Sequence, residues 1–170
     1  MENLLHRVKN KPFLLSFLWA LVIASIFFLL GINISGLTAD LHVQKLGFQE
    51  IFIHNLLLSL ILLVSVITFG LISNILLSFN FLMLGIKVRA LQDTYGFEVI
   101  INKVLRHGVF EIPQILLAGS FGLYFLTRKL TKQPIRIDRD FVFLTLKILL
   151  ICLILNLISA YVEVNFSMKG

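Results

Sequence analysis

His107 and Glu111 stand four residues apart at the head of an apolar run, "RHGVFEIPQILLAGSFGLYFL", residues 106–126. On a helix that spacing puts both side chains on one face. Polar residues of similar kind recur elsewhere in apolar surroundings: His54, Asn55, Asn80 and Glu163. Such groups are rare in membrane-spanning segments and usually face the bundle interior or a wet cavity. Three kinds of chemistry are open to them. They can hydrogen-bond across helices and fasten a bundle. They can line a pathway or binding site for an ion, a peptide or a lipid head. Two His and two carboxylates can also contribute to a zinc shell with an open position. The fastening role stands first and the metal last, because no HExxH occurs and His54 and His107 lack ligand-type spacing. Ser59, Ser65, Ser73 and Ser120 are scattered, without a GxSxG nucleophile turn. The pattern therefore assigns no catalytic residue, no metal and no cofactor.

The elements that must position these residues follow from composition. The chain has 170 residues, 58% of them hydrophobic and 14% charged, against about 45–50% and about 25% for a soluble domain. An all-α, polytopic membrane bundle in a single domain, 1–170, is the expectation. The net charge of +6 comes from Lys and Arg placed between apolar runs. There they anchor helices and set topology, so nucleic acid is not expected as a partner. The single Cys152 lies inside an apolar run and is expected to be a packing residue.

A crossing takes about 20 apolar residues. The first is expected at 13–34, after Pro12 and the basic head Arg7, Lys9 and Lys11. It is too long for a signal peptide, and no small-residue cleavage site stands out. Residues 51–86 would make a helix of roughly 54 Å, too long for one crossing. They are divided at "TFGLISN", where Gly70 weakens the helix and Ser73 and Asn74 suit a turn. Spans at 51–69 and 71–87 result. A fourth is expected at 107–127 and a fifth at 140–164. Between the third and fourth, apolar residues recur at helical spacing in "FEVIINKVLRH". This predicts an amphipathic interfacial helix over about 95–106. Pro113 suits a first helical turn, which would start the fourth helix near Glu111 and set that carboxylate at the positive end of the helix dipole.

With the N-terminus in the cytoplasm, Arg128, Lys129, Lys132, Arg136 and Arg139 join the basic head on the inner side. Lys45, Lys87, Arg89, Lys103, Arg106 and Lys169 lie outside. The balance favours this direction narrowly. Five crossings then bring His54, Asn55, Asn80, His107, Glu111 and Glu163 to one depth, whichever way the whole is inserted. Lys147 is expected to snorkel to the inner surface. Gly70, Gly85, Gly119 and Gly122 are expected packing positions. The last two belong to "AGSFG", a small-residue patch that admits another helix, within the subunit rather than between copies.

Several of these stretches resemble the stage II sporulation protein M family of bacterial membrane proteins. "IFIHNLLLSL" resembles the family's Asn-bearing start of a span. "TFGLISNILLSFNFLMLG" is similar to its glycine-punctuated hairpin, here Gly70, Asn80 and Gly85. "HGVFEIPQILLAGSFGLYF" resembles its His-Gly…Glu-x-Pro-type span, and "ISAYVEVNFS" its acidic C-terminal signature at Glu163. Phe81 departs from the Gly often found beside the Asn, and the C-terminus lacks the usual Pro. The resemblance implies a non-catalytic partner of peptidoglycan-degrading proteins in the bacterial cytoplasmic membrane. Shorter family members occur with circular bacteriocin genes beside an ABC ATPase, which implies maturation, export or immunity instead. No nucleotide-binding loop occurs in this sequence, so an exporter would use a separate ATPase. An intramembrane metal-dependent enzyme using Glu111 and His107 is a third reading. The partners in view are the lipid bilayer, an ATPase or cell-wall hydrolases, and a second copy of the chain.

Overall fold

The computed structural model describes residues 11–36, 47–100 and 106–166, with backbone alone at Glu98, Val99, Arg106, His107 and Phe166. These residues form α1 (Pro12–Ile32), α2 (Phe48–Val64), α3 (Leu71–Tyr95), the short α4 (Phe97–Ile100), α5 (Arg106–Gly122), α6 (Tyr124–Leu130) and α7 (Arg139–Phe166). A 3-10 turn, Ser65–Thr68, extends α2. No strand occurs among the described residues. Four helices are long and apolar enough to cross a membrane: α1, α2 with its 3-10 turn, α3 and α7. The pair α5 and α6, bent by 47° at Leu123, makes a fifth if it is one broken span. Their outward faces are apolar, as at Leu29, Leu57, Ile75, Phe143 and Leu150, which suits contact with lipid.

The hairpin between α2 and α3 carries no charge, so its polar backbone must be satisfied from within. Phe69 and Gly70 both take left-handed backbone, with φ of 51° and 75°. At Gly70 this costs little, because glycine has no Cβ. Gly70 N donates to Ser65 O at 3.1 Å and Thr68 Oγ1 to Ser65 O at 2.8 Å. Ser65 and Ser73 share a hydroxyl–hydroxyl bond across the turn. Asn74 starts α3 by donating its N–H to Gly70 O at 2.8 Å, and its side-chain oxygen accepts from Trp19 Nε1.

The helices do not pack in simple chain order. α1 lies along α3, while α2 packs on α5 and α7. α5 sits between the two groups, touching α1, α2, α3 and α7. The helix that carries Glu111 and Gln114 is thus enclosed on several sides, as the cost of polar groups in lipid requires. α1 and α3 run parallel: Trp19 meets Asn74 near one end and Gly31 meets Gly85 near the other. Gly119 of α5 faces Leu77 of α3, with no room for a Cβ. Gly70 and Gly122 meet where the hairpin crosses the end of α5.

Two expectations need correction. The helix holding Glu111 does not begin there: α5 starts at Arg106, and Pro113 lies inside it. The proline removes the amide that would bond Val109's carbonyl, and Val109 is exposed at that place. Glu111 is therefore in the second turn, held by neighbouring helices rather than by the helix end. Likewise the third apolar helix does not stop near 87. α3 continues through Lys87 and Arg89 to Tyr95, steadied by the Arg89–Asp93 ion pair at 3.0 Å. The expected amphipathic helix at about 95–106 lies mostly outside the described residues; only its start, α4, is seen.

The path of the chain puts Pro12, the hairpin at Gly70 and the segment 131–138 at one end of the bundle. Residues 33–36, 47 and 96 lie at the other. In a Cys152→Ser background, Arg136→Cys and Gln92→Cys, both at exposed positions, are expected to react with an impermeant thiol reagent from opposite sides of the membrane. Labelling of both from the same side would contradict this placement.

Candidate functional site

Three helices each contribute a polar stripe at helical spacing. On α2 it is Phe52's carbonyl, Asn55 and Ser59; on α5, Glu111 and Gln114; on α7, Asn156 and Ser159. The first two helices run parallel and the third antiparallel, so the stripes meet level by level. Asn55 Nδ2 donates to Glu111 Oε1 at 2.9 Å, and Ser159 Oγ donates to the same oxygen at 3.2 Å. One turn along, Gln114 Nε2 donates to Ser59 Oγ at 2.7 Å and to the carbonyl of Asn55 at 3.3 Å. Asn156 Nδ2 donates to the Phe52 carbonyl at 2.9 Å. Cys152 closes the seam below, its Sγ 3.8 Å from the Gln114 carbonyl. Gln114, Asn156, Ser59 and Ser159 are all buried.

Among the described residues, two side-chain oxygens in this seam have no partner: Gln114 Oε1 and Asn156 Oδ1. Both belong to amides whose nitrogens are already placed by the bonds above. The seam thus has acceptors left over.

The residues expected from sequence are distributed unevenly around it. Asn55 and Glu111 meet. His54 does not join them: it is exposed, because one residue of helix turns it about 100° away from Asn55. Asn80 does not join either. It sits on α3 and donates back to the Leu76 carbonyl of its own helix at 2.8 Å, the local alternative open to Asn in a helix. The side chain of His107 lies outside the described residues. Glu163 is half-buried on α7, one turn beyond Ser159. Lys147 is exposed. Among the described residues, no three His, Cys, Asp or Glu side chains gather as a metal set.

Gln114, Asn156 and Ser159 were not expected. A signal for them exists: Glu111 and Gln114 are three apart, and Asn156, Ser159 and Glu163 repeat at three and four. Each is a polar stripe along one face of an otherwise apolar helix.

The bonds to Glu111 bridge α5 to both α2 and α7. Glu111→Ala would leave the Asn55 and Ser159 donors without this acceptor. Interhelical hydrogen bonds in membranes are worth about 0.6–2 kcal/mol each. A loss of about 1–3 kcal/mol is expected, read as a lowered Tm of the purified protein in detergent. An unchanged Tm would show that the seam does not fasten the helices.

A second polar group lies at the other end of the bundle. Ser16 and Thr127 share a hydroxyl–hydroxyl bond of 2.7 Å between α1 and α6. Beside it Phe121, Tyr124, Phe125 and Phe141 stack. The Arg128 guanidinium lies 5.5 Å from the centre of the Tyr124 ring. These contacts tie the bent end of α5–α6 to α1 and α7.

Comparison with known proteins agrees with this architecture. The chain is 33% identical over 137 residues to an uncharacterized protein of Methanocaldococcus jannaschii, the match covering 74% of this chain and 73% of the relative. No solved structure matches it. The profile of the family described as stage II sporulation protein M matches residues 13–168. A match of that extent takes in the candidate spans from residue 13 on and the whole polar seam, and this membrane protein belongs to the stage II sporulation protein M family.

Proposed function

We propose that this chain is a non-catalytic, multi-pass subunit of a complex in the cytoplasmic membrane, acting as a scaffold for partner proteins. The observation that carries the reading is how its intramembrane polar groups are used. The Glu111 carboxylate accepts from two neighbouring helices, α2 and α7, and Gln114 and Asn156 both donate to α2. Such groups build a rigid body rather than a reaction centre. A nucleophile–base pair, or a base held ready beside an open position, would support an enzyme; among the described residues the seam supplies neither. Glu111 is tied to Asn55 and Ser159, and His54 faces away. The archaeal relative supports a role wider than sporulation.

Two kinds of partner separate the readings. A scaffold for envelope remodelling would hold cell-wall hydrolases. A subunit for bacteriocin maturation, export or immunity would hold an ABC ATPase. The exposed basic residues Lys129, Lys132, Arg136 and Arg139 mark the end of the bundle at which a cytoplasmic partner would dock. The test is to tag the chain at its native level, cross-link intact cells, and identify what co-migrates after mild solubilisation. A discrete complex with a hydrolase supports the scaffold. A complex with an ATPase moves the assignment to export. A chain that migrates alone after cross-linking overturns the subunit reading.

A further inference from the structure

The seam between α2, α5 and α7 is bonded through one carboxylate, Glu111, and among the described residues it has two surplus acceptors. Glu111 has no ion-pair partner among the described residues, where Arg89–Asp93 is the ion pair found. Gln114 is 2% exposed and Asn156 is fully buried, yet Oε1 of the one and Oδ1 of the other lack any hydrogen-bond donor. Buried acceptors are rarely left so, and each such group calls for an explanation. Reversing the amides would not remove the problem. It would turn the Asn156 nitrogen away from the Phe52 carbonyl, and the Gln114 nitrogen away from the Asn55 carbonyl.

The three groups lie at neighbouring levels. Ser159 bonds Glu111, and Cys152 approaches the Gln114 carbonyl. Asn156 stands between Ser159 and Cys152 on α7. Asn156 therefore stands between the Glu111 and Gln114 levels of α5. The set is made of oxygens: a carboxylate, two amide oxygens, and the hydroxyls of Ser59 and Ser159. Hard oxygen donors select hard cations over zinc or copper. Calcium sites draw on several carboxylates, and a single one balances a single positive charge. A water molecule could donate to two of these oxygens but brings no positive charge to the carboxylate.

We propose that this seam binds one monovalent cation, sodium, on Glu111, Gln114 Oε1 and Asn156 Oδ1. The ion would satisfy the two surplus acceptors and neutralise the half-buried carboxylate, fastening the three helices together. The inference concerns a ligand of the bundle and stands apart from the choice of protein partner.

The test uses the purified full chain in detergent, exchanged into choline chloride. Equilibrium binding of radioactive sodium is expected to be saturable with one site per chain. Sodium at about a hundredfold above its Kd should raise Tm by about 5 °C or more, and the same concentration of choline should not. Glu111→Gln, which keeps the shape and removes the charge, should weaken sodium binding at least tenfold. Should that variant fold poorly, Gln114→Leu removes one of the free oxygens with an apolar side chain of similar size and should weaken binding as well. Glu50→Gln, at the exposed start of α2, should bind as the wild type does. The proposal is overturned if wild type shows no saturable sodium binding, or if Glu111→Gln and Gln114→Leu bind sodium as wild type does. In either case the oxygens are met by water.

Discussion

Gly122→Leu is expected to prevent the bundle from closing, with a loss of about 3 kcal/mol or more. Gly122 is the last residue of α5, directly before the bend at Leu123. A Cβ there would run into the hydroxyls of Ser73 and Ser65 and come within 2.6 Å of the Leu62 carbonyl. None of these can retreat. Leu62 O is backbone and accepts from Ser65 Oγ at 2.6 Å, and the two serines are bonded to each other. All three residues are fully buried, so no water meets their polar groups in place of these bonds. Ala at the same position tests the steric part alone. It gains roughly 1 kcal/mol of helix propensity, so any net loss measures the clash. Circular dichroism melts of the two variants in detergent should rank wild type above Ala and Ala above Leu. Gly96, whose surroundings are open but whose φ is +83°, would show backbone strain without such a clash and is a useful contrast.

How far this was legible in the sequence differs between the frame and the site. The crossings are legible because their apolar runs are long and the bilayer fixes the length. The hairpin is legible because Gly70 weakens a helix and takes left-handed backbone at little cost. The far end of α3 is not: hydropathy reports where the membrane ends, and a helix with Arg89 paired to Asp93 continues past that point. The site divides in the same way. Glu111 is conspicuous, since a carboxylate in an apolar run has few reasons to be there. Its neighbours are not conspicuous. Asn156 and Ser159 look like isolated polar residues in a long apolar helix until α5 is known to lie against that face. His54 and Asn55 are adjacent in sequence and equal in polarity, yet one faces outward and the other into the seam. Only the facing of α2 separates them, and facing is a tertiary property. Asn80 lies outside the seam, because α3 pairs mainly with α1 and the Asn80 amide bonds back to its own helix.

The same dependence on pairing explains why Gly85 was legible as a packing position and Gly31 was not. Each makes sense only through the other. A Cβ on Gly31 would strike the Leu82 carbonyl and lie 2.9 Å from Ile86 N; one on Gly85 would strike the Phe28 carbonyl and lie 3.0 Å from Ile32 N. The two helices touch backbone to backbone, which in a membrane gains dispersion contacts that lipid cannot match. Gly31→Leu or Gly85→Leu alone is therefore expected to cost about 3 kcal/mol or more, by forcing the C-terminal half of α1 off α3. The other half stays anchored by Ser16–Thr127 and Trp19–Asn74. The expected signature is local: a cysteine at position 28 becomes reactive to a membrane-soluble thiol reagent while one at position 20, buried near the anchor, stays protected. The double variant should cost clearly less than the two singles added together, by 1 kcal/mol or more, because once the first side chain has separated the helices the second enters space already opened. Strict additivity would mean that the two glycines act through separate contacts, and that the crossing is not the shared surface the geometry describes.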